Sequence, residues 1–247
     1  MRTQDLEPEM EELLLRLVPD LPAQWQGATE QEIEQLTKFA GRPLPRFYRW
    51  FLLRMGRSMG AISYATLDFS APKLLSCYAA RFTTPDSRFL MIAHESDEMV
   101  PLHIFYDFEH PVRDDARVVL MDAGRQELYN HFETLREMIA WGRFLQLRVK
   151  VQPNRCRGIF SDTSGDVREQ LDLVLDSLGF TTPIPTGPYC GIYEGDRASL
   201  VTSSSIDDPP RIQPFQLGGK DVGYLRRVLG EIAAETSLEV EIKEWNG

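Results

Sequence analysis

ATEQEIEQLTKFAGRPLPRFYRWFLLRMGRSMG, residues 28–60, reads as two short helices joined by a proline turn, and the rest of the chain is organised around it. Thr29 is a good N-cap, and Glu32 three residues on completes a capping box. A helix therefore starts here and runs through Ile33, Leu36 and Phe39 to a stop at Gly41. Pro43 and Pro45 fix their own φ and push the residues before them out of the helical region, so the connection is extended. A second helix follows, with Phe47, Trp50, Phe51, Leu53 and Met55 at three- and four-residue steps and arginines between them. That is the pattern of a helix docked on a sheet, and Gly56 and Gly60 end it.

Downstream, the alternation predicts a strand from Ala61 to Phe69, a short helix or turn over Leu74 to Phe82, and strands at Phe89 to Ala93, Val100 to Tyr106 and Val118 to Met121. A helix over Phe132 to Phe144 closes the unit. Carboxylates recur on the connections of this meander: Glu95, Asp97 and Glu98, then Asp107 and Glu109, then Asp114 and Asp115. Loop carboxylates most often form a solvated rim, but seven on successive connections are also the candidate contact surface for a partner.

The helix with Glu32-Ile33-Glu34, the linker Gly41-Arg42-Pro43-Leu44-Pro45, the run Phe47-Tyr48-Arg49-Trp50-Phe51-Leu52 and the strands after it resemble the SUKH superfamily over residues 28 to 146. That group contains fungal glucan-synthesis regulators and many bacterial immunity proteins. Many members carry an Asn-Gly-Gly turn where this chain has Met55-Gly56-Arg57. The resemblance implies an antiparallel sheet with packed helices and no catalytic residues. It also implies a cognate protein toxin as partner.

Before this unit, Met10, Leu13, Leu14 and Leu17 at helical spacing predict an amphipathic helix over Glu9 to Val18, so residues 1–27 form a helical extension of the domain 28–147. After it, residues 148–247 read as a separate α+β unit. Its elements are a strand Arg157 to Phe160, a helix Asp166 to Leu178 begun at Gly165-Asp166 and capped by Gly179, and strands Tyr189 to Glu194 and Ala198 to Ser203. A helix Lys220 to Glu235 and a strand Leu238 to Trp245 complete it. That β-α-β-β-α-β order is ferredoxin-like. Ser203 to Pro210 reads as a flexible connection from strand to helix.

Composition sets the outer limits. A hydrophobic content of 43% with 26% charged residues is ordinary globular material. A net charge of −10 argues against a general nucleic-acid binder, which gains affinity by neutralising phosphates with Lys and Arg, and suits a basic protein partner instead. No signal peptide or membrane-crossing run is evident. Cys77, Cys156 and Cys190 lack CxxC spacing, which suits a reduced compartment, so a cytoplasmic protein is expected.

Chemistry-bearing motifs are sparse. His103 and His110 with Asp107 and Glu109 resemble a metal set, but strand alternation sends neighbouring side chains to opposite faces, and no metal or cofactor is expected. Cys77 with His94 or His103 is the one arrangement open to nucleophilic catalysis, against the commoner role of cysteine as a small core residue. Gly158 to Gly165 lacks the lysine of a P-loop, and Gly218-Gly219-Lys220 reads as a turn starting a helix. The expectation is a non-enzymatic protein that binds and neutralises a bacterial toxin, a nuclease or another secreted effector enzyme. A non-catalytic scaffold or regulator of cell-wall or signalling machinery is the alternative. Trp25, Tyr64, Tyr78 and Phe108 are the candidate aromatic anchors for toxin binding.

Overall fold

The structure, a computed structural model, describes residues 7–99, 101–124, 127–163, 166–207 and 211–246. Val100, the expected first residue of a strand, Gly165 beside Asp166, and Asp208-Pro209-Pro210 of the expected flexible connection lie outside the described residues. Among the described residues, seven α-helices and two five-stranded antiparallel sheets make an α+β fold. The chain divides into two compact units, Met1–Arg136 and Glu137–Gly247.

The first unit opens with helix α1, Pro8–Leu17, which buries Met10, Leu13 and Leu14. The expected helix pair follows as α2, Glu30–Ala40, and α3, Arg46–Met55. The capping box forms as the sequence demands: the Glu32 N–H donates to Thr29 Oγ1 at 3.2 Å, and the Thr29 N–H donates to Glu32 Oε2 at 2.7 Å. Gly41 ends α2 in the left-handed region at φ 64°. Glu11 ties α1 to α3, taking hydrogen bonds from Trp50 Nε1 at 3.1 Å and Arg54 Nε at 2.7 Å.

Strand β1, Leu67–Asp68, and helix α4, Ala71–Ala79, lead to β2, Phe89–Glu95. Then come β3, His103–Val112, β4, Asp115–Met121, and β5, Leu128–Phe132. The sheet keeps chain order, β1-β2-β3-β4-β5, a meander built from neighbours in sequence. Leu90, Met91, Ile92, Ile104, Phe105, Val118 and Val119 are all buried, and Tyr48, Trp50 and Phe51 from α3 are as well.

Two expectations change here. The strand proposed for Ala61 to Phe69 shrinks to two residues: Gly60–Ile62 is a short 3-10 turn, Gly60 takes φ +59°, and Ser63 bonds back onto the Gly60 carbonyl. The imperfect alternation of ISYATLDF reflects a segment that follows no ladder for most of its length. Strand β5, in turn, had no counterpart in the sequence reading, because LYNHF alternates poorly and leaves Leu128 and Tyr129 exposed.

Helix α5, Leu135–Phe144, begins at the end of the first unit and continues into the second, extended by a π turn over Leu145–Val149. Within the second unit its side chains are fixed by Trp141 Nε1 donating to the Thr202 carbonyl at 3.0 Å and by Glu137 accepting the Gly187 N–H at 2.7 Å. The elements after it are β6, Asn154–Ser161, α6, Val167–Ser177, β7, Cys190–Glu194, β8, Ala198–Ser203, β9, Ile212–Gly219, α7, Val222–Glu235, and β10, Glu239–Asn246. The sheet runs β10-β6-β9-β8-β7.

The unit is therefore β-α-β-β-β-α-β, one strand more than expected. The stretch after Ser203 connects β8 to β9, and β9 is a central strand. Strands β9 and β10 flank β6, each antiparallel to it, so β9-α7-β10 is a split β-α-β unit. One face of this sheet joins α6 and α7 in a core of Phe160, Leu171, Leu175, Leu200, Leu217, Leu225 and Ile232.

Candidate functional site

Gly56 is a point of close approach in the first unit. A Cβ there would lie 2.4 Å from the Leu52 carbonyl oxygen and 2.7 Å from the Ala28 Cβ, so only glycine lets these segments meet. The Ala71 N–H bonds to the Gly56 carbonyl at 2.7 Å, joining the start of α4 to the end of α3. Just beyond, Arg57 and Ser58 both donate backbone N–H groups to the Gln26 carbonyl, at 2.7 and 3.1 Å. The loop after α3 is thus held on both sides.

That loop forms one wall of a cleft of about 390 Å³, whose other walls are the irregular segment after Gly60 and Ser96. Arg57, Met59, Tyr64, Thr66, Asp68 and Ser96 line it. Arg57 is braced by Glu32, with Nη2 to Oε1 at 2.8 Å, and this bond holds the Glu32 carboxyl below its ordinary range. Tyr64 packs on Phe69 with ring centroids 5.4 Å apart. On the rim, Glu95 accepts from Thr66 Oγ1 at 2.9 Å and from the Asp97 N–H at 2.8 Å, and Asp97 accepts the Met99 N–H at 2.9 Å. Asp68 pairs across β1 and β2 with His94, next to the Leu67–Glu95 pair.

The seven predicted partner-facing carboxylates are not one patch. Successive turns of an antiparallel meander emerge at opposite ends of the sheet. Glu95, Asp97 and Glu98 lie at the end that holds the cleft, and Asp107, Glu109, Asp114 and Asp115 lie at the end where Phe89 pairs with Asp107. The six residue-to-residue steps of β2 from Phe89 to Glu95 separate the two ends, about 20 Å at the ~3.3 Å rise of a strand.

Asp107 and Glu109 lie within β3 and not on its exit turn. Asp107 is 1% exposed. Burial works to raise its carboxyl pKa, but Arg88, the Glu109 N–H and His110 outweigh it and hold the group below its usual value. Its charge is consumed internally by Arg88 Nη2 at 2.9 Å and His110 Nδ1 at 3.0 Å. Asp115 opens β4, and its carboxylate takes the N–H groups of Ala116 at 3.0 Å and of Leu135, the first residue of α5, at 3.1 Å. The residue is half-buried but its carboxyl end is enclosed, and that desolvation pushes its pKa up to about 6. Glu109 and Asp114 are exposed.

Of the four aromatic anchors, Tyr64 alone lines the cleft. Tyr78 is buried and its hydroxyl accepts the Met91 N–H at 3.1 Å. Phe108 is buried beneath the Arg42 guanidinium, 4.9 Å from the ring centroid, and Trp25 is half-buried. Thr66 and Asp68 went unmarked in the sequence. Their signal was the polar, weakly alternating run from Ser63 to Ser70, which reads as a poor strand and is in fact a wall.

The residues with chemical potential are quiet. Burial raises the Cys77 thiol pKa, the opposite of an activated thiolate, and pushes Cys156 up to about 12. His103 is 3% exposed, accepts the Glu95 N–H at 3.0 Å, and burial lowers its pKa to about 4, with neighbouring His94 adding to the shift. His110 lies at the other end of β3, on Asp107. Among the described residues, no group of three or more His, Cys, Asp or Glu is placed to hold a metal ion, and no helix is long and apolar enough to cross a membrane. The α7 N-terminus is occupied by its own Asp221, which accepts the N–H groups of Gly223 and Tyr224 at 2.8 and 3.1 Å.

No protein-family model matches this chain, and no curated protein sequence matches it.

Proposed function

We propose that the protein is a SUKH-type immunity protein that acts in the cytoplasm without chemistry of its own. It binds a cognate bacterial toxin and covers that toxin's active site or the path of its substrate. The observation that carries this reading is the cleft beside Gly56. There the proline-linked helix pair ends in a loop held by Gln26 and Ala71, facing Tyr64 and Asp68, with Glu95, Asp97 and Glu98 beside it. A half-buried aromatic ring flanked by carboxylates suits the lysines and arginines of a nucleic-acid-cleaving or otherwise cationic toxin surface, through cation–π contact and charge pairing. The raised Cys77 pKa argues against an activated thiolate at that position.

Co-expression with the toxin encoded beside it tests the proposal. Cells are expected to survive when this protein is present, and the two chains to co-purify as a one-to-one complex. Killing that is equally efficient with the protein present and soluble would overturn it.

A further inference from the structure

The chain as a whole is acidic, yet residues 138–161 carry five cations, Arg143, Arg148, Lys150, Arg155 and Arg157, and no Asp or Glu. This stretch supplies most of α5, the π turn and β6. It borders the face of the second sheet that α6 and α7 leave uncovered.

On that face, side chains of paired residues line up across the strands. Glu244, Arg157, Gln216 and Val201 form one row, and Asn246, Arg155, Gly218 and Ser199 form the next. The π turn rests on this second row. A Cβ at Gly218 would lie 2.5 Å from the Val149 carbonyl oxygen, so the glycine lets the turn descend onto the sheet. The turn roofs the sheet at this row, and beside it the same face is left open as a groove over β6, the rest of β9 and parts of β8 and β10.

Two adjoining hollows make up the groove, of about 410 and 200 Å³, sharing Arg157 and Gln216. Their linings differ. The larger presents Trp141, Ile159, Val201 and Pro214, with the Trp141 ring fixed by its bond to the Thr202 carbonyl. The smaller presents Lys150, Arg155, Arg157 and Asn246, with Glu244 as its carboxylate. Arg157 touches Glu244 at 2.5 Å while its side chain stays 66% exposed, which leaves guanidinium donors facing the groove. Lys150 is exposed, with no ion pair among the described residues. Arg155 Nε is buried with no hydrogen-bond partner. An unsatisfied buried guanidinium N–H costs free energy that an anionic acceptor recovers. Lys243, also on the rim of the larger hollow, pairs with Glu241.

We propose that this groove is a binding site for a small organic anion, with the apolar body against Trp141, Ile159 and Pro214 and the anionic head at Lys150, Arg155 and Arg157. Taken together the two hollows have the size and the mixed lining of small-molecule sites, which run to about 300–1,000 Å³ and combine apolar walls with a few convergent polar groups. Carboxylate and phosphate heads share this chemistry. The site belongs to the second unit and is independent of the toxin-binding reading.

The test uses the full-length protein and 1-anilinonaphthalene-8-sulfonate, a fused-ring body with an anionic head, followed by its fluorescence. One saturable site is expected, weakened about tenfold or more in the Arg155→Gln/Arg157→Gln double variant, the size of a lost charge-assisted hydrogen bond. N-phenyl-1-naphthylamine, the same body without the sulfonate, is expected to bind both proteins equally. Competition by adenosine monophosphate or by dodecanoate then assigns the head as phosphate or carboxylate. Lys150→Gln, an exposed change, repeats the measurement at reduced effect should the double variant fold poorly. Absence of saturable dye binding, equal dye affinity in wild type and variants, or displacement by neither competitor overturns the proposal.

Discussion

The two sheets have the same number of strands and opposite construction. The first keeps chain order throughout, so each strand pairs with the next along the sequence. In the second, β6 lies between β9 and β10, two strands that follow it by more than fifty residues. A meander is built from local hairpins, whereas a split sheet places the closure of long loops ahead of its central pairings. The close approaches that glycine permits differ accordingly. In the first unit Gly56 lets helix ends and loops converge. In the second Gly158 lets β10 approach β6, since a Cβ there would lie 2.1 Å from the Glu241 carbonyl oxygen and 2.7 Å from the Phe215 ring.

The largest expected effect comes from filling these points. Gly56→Val and Gly158→Val each force backbone apart, and each is expected to cost more than ~4 kcal/mol, the range of severe strain and overpacking. Hydrogen exchange should show protection lost first in the unit that carries the change. Uniform loss in both units for both variants would break the comparison.

Next in size is Leu217→Ala, at the centre of the second sheet and fully buried. It should cost about 2–5 kcal/mol in chemical denaturation, as for other buried leucines. Ile242→Ala, on the edge strand β10 and 48% exposed, should cost far less. Equal effects would mean that β9 is not the keystone of its sheet.

Asp115 gives the pH test. Its folded-state pKa of about 6 exceeds the ordinary 3.8, so between those values the folded state holds more protons than the unfolded state, and stability falls as pH rises. The full drop is about 3 kcal/mol at 1.36 kcal/mol per pKa unit. Asp115→Asn should remove that decline between about pH 4 and 6. The buried His103 acts in the opposite direction. With its pKa lowered to about 4, the unfolded state binds more protons between that value and 6.5, and stability rises with pH. Between about pH 4 and 6 the rise from His103, and from His131, whose pKa burial also lowers to about 4, offsets the decline from Asp115. His103→Gln should therefore shift the curve toward decline and Asp115→Asn toward a rise; a curve unchanged by both substitutions refutes both assignments.

The smallest effect separates the two ends of the first sheet. Charge reversal of Glu95, Asp97 and Glu98 should slow association with a cationic toxin about tenfold at low salt and much less at high salt. Reversal of Glu109 and Asp114 at the far end should leave the rate nearly unchanged. Stopped-flow rates at two ionic strengths decide it, and an equal slowing from both ends would make the cleft irrelevant to encounter.

What the sequence disclosed divides along the same line. Thr29, Glu32, Gly41 and the prolines mark α2 and α3 through purely local rules, and those helices form as read. Strand β9 was unreadable because its signals point the other way. Pro214, Gly218 and Gly219 are turn residues in most contexts. Pro214 is tolerated one residue beyond the last pairing with β8, Thr202 with Phe215, where no ladder bond is needed on that side. The two glycines answer to neighbours remote in sequence, Val149 and Arg197, whose carbonyl oxygens would meet a Cβ at 2.5 and 2.7 Å. The cleft was hidden for a related reason. Its wall from Ser63 to Ser70 is shaped by Gly60 and by what packs behind it, and a poor strand pattern does not say which.

The Tyr78 hydroxyl on the Met91 N–H has a bearing on colloidal behaviour. Strand β1 pairs only with His94 and Glu95, so most of the outer edge of β2 lacks a strand partner, and an open row of amide groups is a template for joining another chain. Here α4 packs against that strand, and the one tyrosine hydroxyl satisfies the donor at the β2 bulge. Tyr78→Phe keeps the ring and frees the amide. The unpaired buried donor costs about 1–3 kcal/mol, so the expected signature is a lowered melting temperature together with slow, concentration-dependent fibre growth in stored protein.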